Sequence, residues 1–499
     1  MENHLPHTNN SPEISPTTPE IEPTVSLGRR GFLCRTGIVA IALAGCNPDK
    51  EIQNSNTPKT KTLEIKSVKD LEHSAEILED YQKNRMHHPD FLATKAARNN
   101  LLRQSPHKLI TEDGIPQDKS MTITFSDHDG KNPTSVTMPI LTQDKNDPSK
   151  NECITGRIFV VNGKTYKIET SPPTKKDTGV ANQFIITSVN ANSNVDTKAN
   201  KKKYKVLAVK RASYQKGYGY KIKSVAYTPP AEEYVTDENV KAGREYVRFV
   251  TDTAAEILTS MLDKSSRGDT NLIKNFIKRM PFIKEMVAKL MIVEHIDPGV
   301  YLNALSGDSR YSGISLQSLS RQSYTEYALN ASQAFGYLDN SSDAMGPLQI
   351  RSDTYNDLLK HAEKYYGIDL EILKTDKELG RKDHIRAAVF AMLLCYDNFI
   401  KMKNNLRNQP ELFKIFGEEI DLYEAMLVSN YNASTAMVHA CIGTTLQKAK
   451  KNKKIFKNAK DFIVEYRLNM KNLGQKIKIA TGESISENAN YIKKYFDIK

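Results

Sequence analysis

Apolar residues change their spacing twice along this 499-residue chain. Between residues 66 and 104 they recur every three or four positions, first as Val68, Leu71, Ala75, Leu78 and Tyr81, then around Phe91 to Leu102. That period predicts two helices. From about 105 to 230 the period becomes two, as in Met121-Thr122-Ile123-Thr124-Phe125. Arg157 to Val161 and Thr165 to Ile168 flank Asn162-Gly163, a dipeptide suited to the positive φ angles of a tight hairpin turn. Phe184–Val189, Tyr204–Val209 and Tyr218–Tyr227 extend the set to some six strands, which predicts a small all-β domain built as a barrel or a sandwich.

Pro229-Pro230 interrupts the chain, and from Glu232 onward the helical period returns almost to the end. Val247, Val250, Ala254, Ile257, Leu258 and Met261 form one face, and Ile273, Ile277 and Met280 begin another. Pro281 suits the first turn of the next helix, whose stripe is Ile283, Met286, Val287, Leu290 and Met291. Glu294 follows Leu290 by four and Val287 by seven, so its carboxyl falls on the core-facing side. Asp297-Pro298 closes that helix, and a further helical pattern runs around Leu316, Leu319 and Tyr327. The fold class is therefore multidomain α+β, a helical domain preceded by a small all-β domain. The proline pair predicts that residues 232–499 fold without the β domain.

The N-terminus has a different character. Residues 1–25 are rich in Pro, Thr, Asn and Glu and suit disorder. Ser26-Leu27-Gly28-Arg29-Arg30-Gly31-Phe32-Leu33 resembles a twin-arginine export signal, and the apolar run Ile38–Gly45 is too short to span a bilayer. Leu43-Ala44-Gly45-Cys46 is similar to a lipobox, in which Cys46 becomes the first residue and carries a lipid. Residues 1–45 are thus expected to be a signal peptide and 46–65 a polar linker, placing the protein outside the cytoplasm, anchored to a membrane through Cys46.

Composition adds little to this picture. Hydrophobic residues at 39% and charged residues at 26% fit a globular body. The net charge of +12 is spread over scattered Lys and Arg, which points to a solvated surface and not to a nucleic-acid stripe. Tyr204, Tyr214, Tyr218 and Tyr220 lie among Lys and Arg, where strand packing is the first expectation and stacking on a ligand the second. Once Cys34 and Cys46 are set aside, Cys153, Cys395 and Cys441 remain, an odd number without metal-type spacing. Neither a disulfide framework nor a zinc site follows, and Cys395 and Cys441 are expected as buried thiols unless they pair with each other.

Three separated motifs carry a resemblance over the C-terminal half. Leu290-Met291-Ile292-Val293-Glu294-His295-Ile296-Asp297-Pro298 is an apolar helix ending in an acid with a proline shortly after; Ala344-Met345-Gly346-Pro347-Leu348-Gln349-Ile350 follows, then Asn430-Tyr431-Asn432-Ala433-Ser434. In this order they resemble the lytic transglycosylases, whose apolar helix ends in Glu-Ser, followed by a Gly-Leu-Met-Gln loop and an Ala-Tyr-Asn-Ala-Gly helix. Asp383 to Ala388 is similar to the family's Asn-Ile-x-Ala-Gly helix, and Asn490-Tyr491-Ile492 to its closing Tyr-Val element. His295, Ser434 and Pro347-Leu348 depart from the pattern.

The resemblance implies an α-helical lysozyme-like catalytic domain acting on peptidoglycan glycan strands, with neither cofactor nor metal. Glu294 would be the acid that protonates the bridging oxygen. It would then act as the base that takes a proton from the muramic hydroxymethyl group. Such an acid must still hold its proton near neutral pH, which burial favours by disfavouring the carboxylate. Met345, Gly346, Gln349, Tyr431 and Asn432 would bind substrate: Gly346 through close backbone approach, Gln349 towards an acetamido group or Glu294, and Tyr431 towards the carboxyl while Asn432 holds the loop. Glu326 is the alternative acid, nearer the loop but without the apolar run. A hydrolase of the same fold, or an inactive wall-binding lipoprotein, would share most of these features.

Overall fold

The computed structural model of the chain describes residues 71–104, 119–126, 133–139, 158–171, 183–189, 203–215, 221–229, 231–265, 267, 270–296, 300–301, 316–335, 344–368, 370, 373–374, 376–405, 424–425, 427–429, 431, 435–452, 459–473, 476–478 and 484–497. The expected signal and linker with Cys34 and Cys46, together with Cys153, Tyr218, Tyr220, Asp297-Pro298, Asn430 and Asn432–Ser434, lie outside the described residues.

Helices α1 (Ser74–Arg85) and α2 (Pro89–Arg103) occupy the first helical stretch. Pro89 opens α2, and the His88 ring accepts from the Phe91 N–H at 3.3 Å, so the start of that helix is capped. Leu71, Ile77, Leu78, Met86 and Phe91 are buried in the main helical core. Ser74 Oγ donates to Asp383 Oδ2 at 2.9 Å, and Arg386 Nε donates to the Leu71 carbonyl and to Ser74 Oγ, each at 3.1 Å. The far half of α2 instead packs Ala97 and Leu101 on Leu207 and Ala208.

Strands β1 (Lys119–Ser126), β2 (Thr134–Pro139), β3 (Ile158–Val161), β4 (Lys164–Ser171), β5 (Gln183–Val189), β6 (Lys203–Gln215) and β7 (Lys221–Tyr227) form one antiparallel sheet. Its order is β2-β1-β6-β5-β4-β3, with β7 sharing β6. Asn162 (φ 50°) and Gly163 (φ 73°) make the two-residue turn between β3 and β4, both in the left-handed region such a turn requires. The periodicity missed β2, a half-buried strand bonded to one neighbour whose Thr and Ser side chains pair with Thr122 and Thr124 of β1.

The apolar face of this sheet is its own core: Met121, Ile123, Phe125, Met138, Tyr166, Ile168, Ile186, Val206, Val209 and Tyr227. Phe125 of β1 and Tyr166 of β4 stand 5.0 Å apart between ring centroids. In a flat sheet, three strand spacings of about 4.8 Å would separate those strands, so the sheet curls over its apolar face. Its end strands β2 and β3 are not paired with each other, so the described strands make a curled open sheet. Tyr204 edges onto Phe125 and Tyr166, which makes it packing and not a ligand platform.

The remaining described residues are largely helical: α3 (Asp237–Asp263), α4 (Thr270–Lys278), α5 (Met280–Val293), α6 (Leu316–Asn330), α7 (Ser352–Tyr366), α8 (Lys377–Lys382), α9 (His384–Asn405), α10 (Thr435–Lys451), α11 (Ala459–Leu473) and α12 (Glu487–Asp497). Two small hairpins, Ala344–Met345 with Ile350–Arg351 and Lys476–Lys478 with Ser484–Ser486, interrupt the helical run. Helix α3 begins at Thr236, whose hydroxyl accepts from the Asn239 N–H, and packs against α5, α6 and α9. Gly243 lets α6 close on it, since a Cβ there would sit 1.8 Å from the Tyr324 carbonyl oxygen. Cys395 and Cys441 are separately buried and free.

The break in pattern before Glu232 is not a break in packing. Thr228 N–H donates to Asn330 Oδ1 at 2.7 Å, and Asn330 Nδ2 returns a bond to the Thr228 carbonyl at 2.9 Å. Arg98 Nη1 donates to Thr228 Oγ1 at 2.7 Å, and Tyr234 Oη to the Val206 carbonyl at 2.8 Å. Leu71, Ile77, Leu78, Met86 and Phe91 lie in the same core as the helices that follow residue 231, so the helical body draws on the first helical stretch as well.

Candidate active site

Helix α5 carries its apolar stripe to the position expected, with Ile283, Met286, Val287, Leu290 and Met291 all buried. Pro281 lies in its first turn. Glu294 is its C-cap, only 6% exposed, with its N–H on the Leu290 carbonyl at 3.0 Å. The carboxyl has a definite partner: Tyr491 Oη of α12 donates to Oε1 at 2.6 Å. One turn along, Tyr495 donates to Glu424, a second buried acid, and Lys289 of α5 stands 3.6 Å from the same Glu424 oxygen. Lys494 Nζ donates to the Ile296 carbonyl at 3.0 Å, capping the chain just beyond Glu294. Helix α12 thereby holds the end of α5 at several points.

The loop from Ala344 to Arg351 is a tight hairpin pairing Ala344 with Arg351 and Met345 with Ile350. Gly346 has φ 72°, and a Cβ there would lie 2.0 Å from the Arg381 carbonyl oxygen, so both backbone angle and space demand glycine. Gln349 is also left-handed, at φ 48°. The Gln349 N–H reaches the Gly346 carbonyl at 3.2 Å, and side chains bond the carbonyls along the rest of the turn. Gly346 O accepts from Gln349 Nε2 at 2.9 Å, Pro347 O pairs with His295 Nε2 at 2.7 Å, Leu348 O accepts from Tyr431 Oη at 2.5 Å, and Ile350 O from Arg381 Nη1 at 3.3 Å. Met345 is half-buried while Gly346 to Ile350 are buried.

The motifs separated in sequence therefore meet through a continuous series of contacts: Tyr431 to Leu348, Pro347 to His295, and Glu294 to Tyr491. Two assignments differ from expectation. The phenol at the Glu294 carboxyl is that of Tyr491, and the Tyr431 hydroxyl goes to a loop carbonyl, because α12 covers the end of α5. The amide nitrogen of Gln349 bonds within its own loop, and the side chain is 3% exposed. Glu326 is buried as deeply, but its charge acts on Arg98 of α2, whose guanidinium burial pulls down and Tyr234 and Glu326 push back up.

Two further residues escaped the sequence reading. The His295 ring stacks on Phe335 with centroids 3.4 Å apart and planes within 3°. Phe335 itself has φ 59°, unusual for an aromatic residue. The turn that carries it is anchored by His384, fully buried, whose Nε2 meets the Ala334 carbonyl at 2.9 Å and whose Nδ1 meets Tyr246 Oη at 2.9 Å. A carbonyl can only accept, so Nε2 carries the proton and Nδ1 accepts from the tyrosine. Burial lowers the His384 pKa to about 4, which keeps the ring neutral. The aromatic period of α6 contained no signal for this turn. Tyr491 was visible in Asn490-Tyr491-Ile492 but not its partner.

No family model matches the chain, and no curated protein or solved structure is similar to it.

Proposed function

We propose that this chain is an exported, lipid-anchored enzyme that cleaves the MurNAc–GlcNAc bond of peptidoglycan without water, from an α-helical lysozyme-like domain in which Glu294 is both acid and base. What supports this reading is one observation: a buried Glu closing an apolar helix is held by Tyr491 at 2.6 Å, while its sequence neighbour bonds the Gly346–Gln349 loop at 2.7 Å. Cleavage starts as the Glu294 carboxyl gives its proton to the bridging oxygen and the bond from that oxygen to the anomeric carbon breaks. The hydroxymethyl oxygen of the same sugar then closes on the anomeric carbon, and its proton returns to Glu294. The Tyr491 hydroxyl stabilises the carboxylate formed between the two steps. Met345 and the backbone at Gly346 would meet the sugar, and Tyr431 fixes the loop that presents them.

Purified sacculi digested with the full-length protein test the reading by the chemistry of the released ends. Anhydro-muramic ends are expected; reducing ends would make the protein a hydrolase, and binding without release would make it a wall-binding lipoprotein. Glu294→Gln keeps the shape but removes the transferable proton, so turnover should fall by roughly a hundred- to ten-thousandfold with binding retained, while Glu326→Gln stays active. Wild-type turnover by Glu294→Gln would refute the assignment of the acid.

A further inference from the structure

We infer that His295 is a positioning residue that locks the Met345–Gln349 loop to the acid, an inference that rests on the glycan-cleaving reading of this site. Its place is set from three sides. It follows Glu294 directly, so any movement of its ring is transmitted to the end of α5 that carries the carboxyl. Its Nε2 lies 2.7 Å from the Pro347 carbonyl oxygen, and because that oxygen only accepts, Nε2 carries the proton and donates. Its ring lies flat on Phe335 at 3.4 Å. Both rings are buried, His295 at 8% and Phe335 at 3% exposed.

The stack is held at a conformational cost. Phe335 keeps φ 59° and Ala331 φ 47°, where side chains are disfavoured, and His384 clamps the intervening Ala334 carbonyl at 2.9 Å. The strained turn fixes the plane of the Phe335 ring, that ring fixes the plane of His295, and the plane of His295 fixes the direction of its Nε2–H. A shorter hydroxyl side chain at this position would neither stack nor reach as far. The ring is thus a rigid spacer with one aimed donor, and it sets the distance between Glu294 and the loop expected to hold the sugar.

Two variants separate the stack from the hydrogen bond. His295→Phe retains a ring on Phe335 and loses the donor; His295→Gln retains an N–H donor and loses the ring. Full-length variants are compared for turnover and KM on a soluble muropeptide oligomer and for hydrogen exchange at the Leu348–Ile350 amides. The expected result for His295→Phe is a cooperative melt at modestly reduced temperature, turnover down ten- to a hundredfold, KM changed less than threefold, and loop exchange at least tenfold faster. His295→Gln should recover turnover to within about fivefold of wild type. Wild-type turnover in His295→Phe, or a His295→Gln variant no better than it, would overturn the positioning role while leaving the function reading intact. A wild-type protein that releases no glycan fragments would overturn the function and, with it, this role, and the exchange rates would then report only whether His295 pins the loop.

Discussion

Lowering the pH should unfold this protein partly through His384. The ring is fully buried, with Nδ1 accepting from Tyr246 and Nε2 donating to the Ala334 carbonyl, so the neutral tautomer satisfies both nitrogens and a second proton would set two donors against each other. Burial lowers its pKa from 6.5 to about 4. Above pH 6.5 the ring is neutral in both folded and unfolded chains, and its contribution is complete. As pH falls from 6.5 towards 4, the unfolded chain takes up the proton and the folded one does not, so stability is lost at about 1.4 kcal/mol per pH unit, near 3 kcal/mol in all. The neighbouring Asp383 acts oppositely: burial raises its pKa, so its contribution is present at low pH and lost as pH rises through the folded value. Comparing the wild type with His384→Gln cancels that term, because only the histidine is removed. Urea unfolding at pH 7, 6, 5 and 4 should show the wild type losing about 3 kcal/mol more than the variant. Parallel curves for the two proteins would refute the neutral, doubly bonded ring.

Gly346→Ala should lower stability by at least about 2 kcal/mol and abolish activity, since the added methyl meets the Arg381 carbonyl at 2.0 Å on a left-handed backbone; a thermal melt and the sacculus assay read both effects. A fragment of residues 232–499 should melt without cooperativity, because removing buried Leu71, Ile77, Leu78, Met86 and Phe91 costs on the order of 10 kcal/mol, comparable with the whole stability of a typical domain. A fragment beginning at residue 66 should melt cooperatively in circular dichroism. Cys46→Ala should leave an uncleaved precursor that takes up no labelled fatty acid, detected by mass and by fluorography; unchanged labelling would refute the lipoprotein reading.

What the sequence determined by itself was local. The α5 stripe, Pro281 in its first turn and Glu294 at its end follow from a period of 3.6, and the Asn162-Gly163 turn follows from which residues tolerate positive φ. Period and turn chemistry say which face of an element is buried, but not against what. The curl of the sheet, the burial of α1 in the helical body and the half-buried strand β2 were therefore decided by packing between elements distant in the chain. The candidate site divides the same way. Its motifs could be read in order along the chain. That Tyr491 reaches the Glu294 carboxyl, that Tyr431 meets the Leu348 carbonyl, and that His295 meets Pro347 depend on how α12 and the loop come to rest on the core. A buried donor or acceptor takes whichever partner the assembled fold brings within about 3 Å, and no spacing within a single segment specifies that choice.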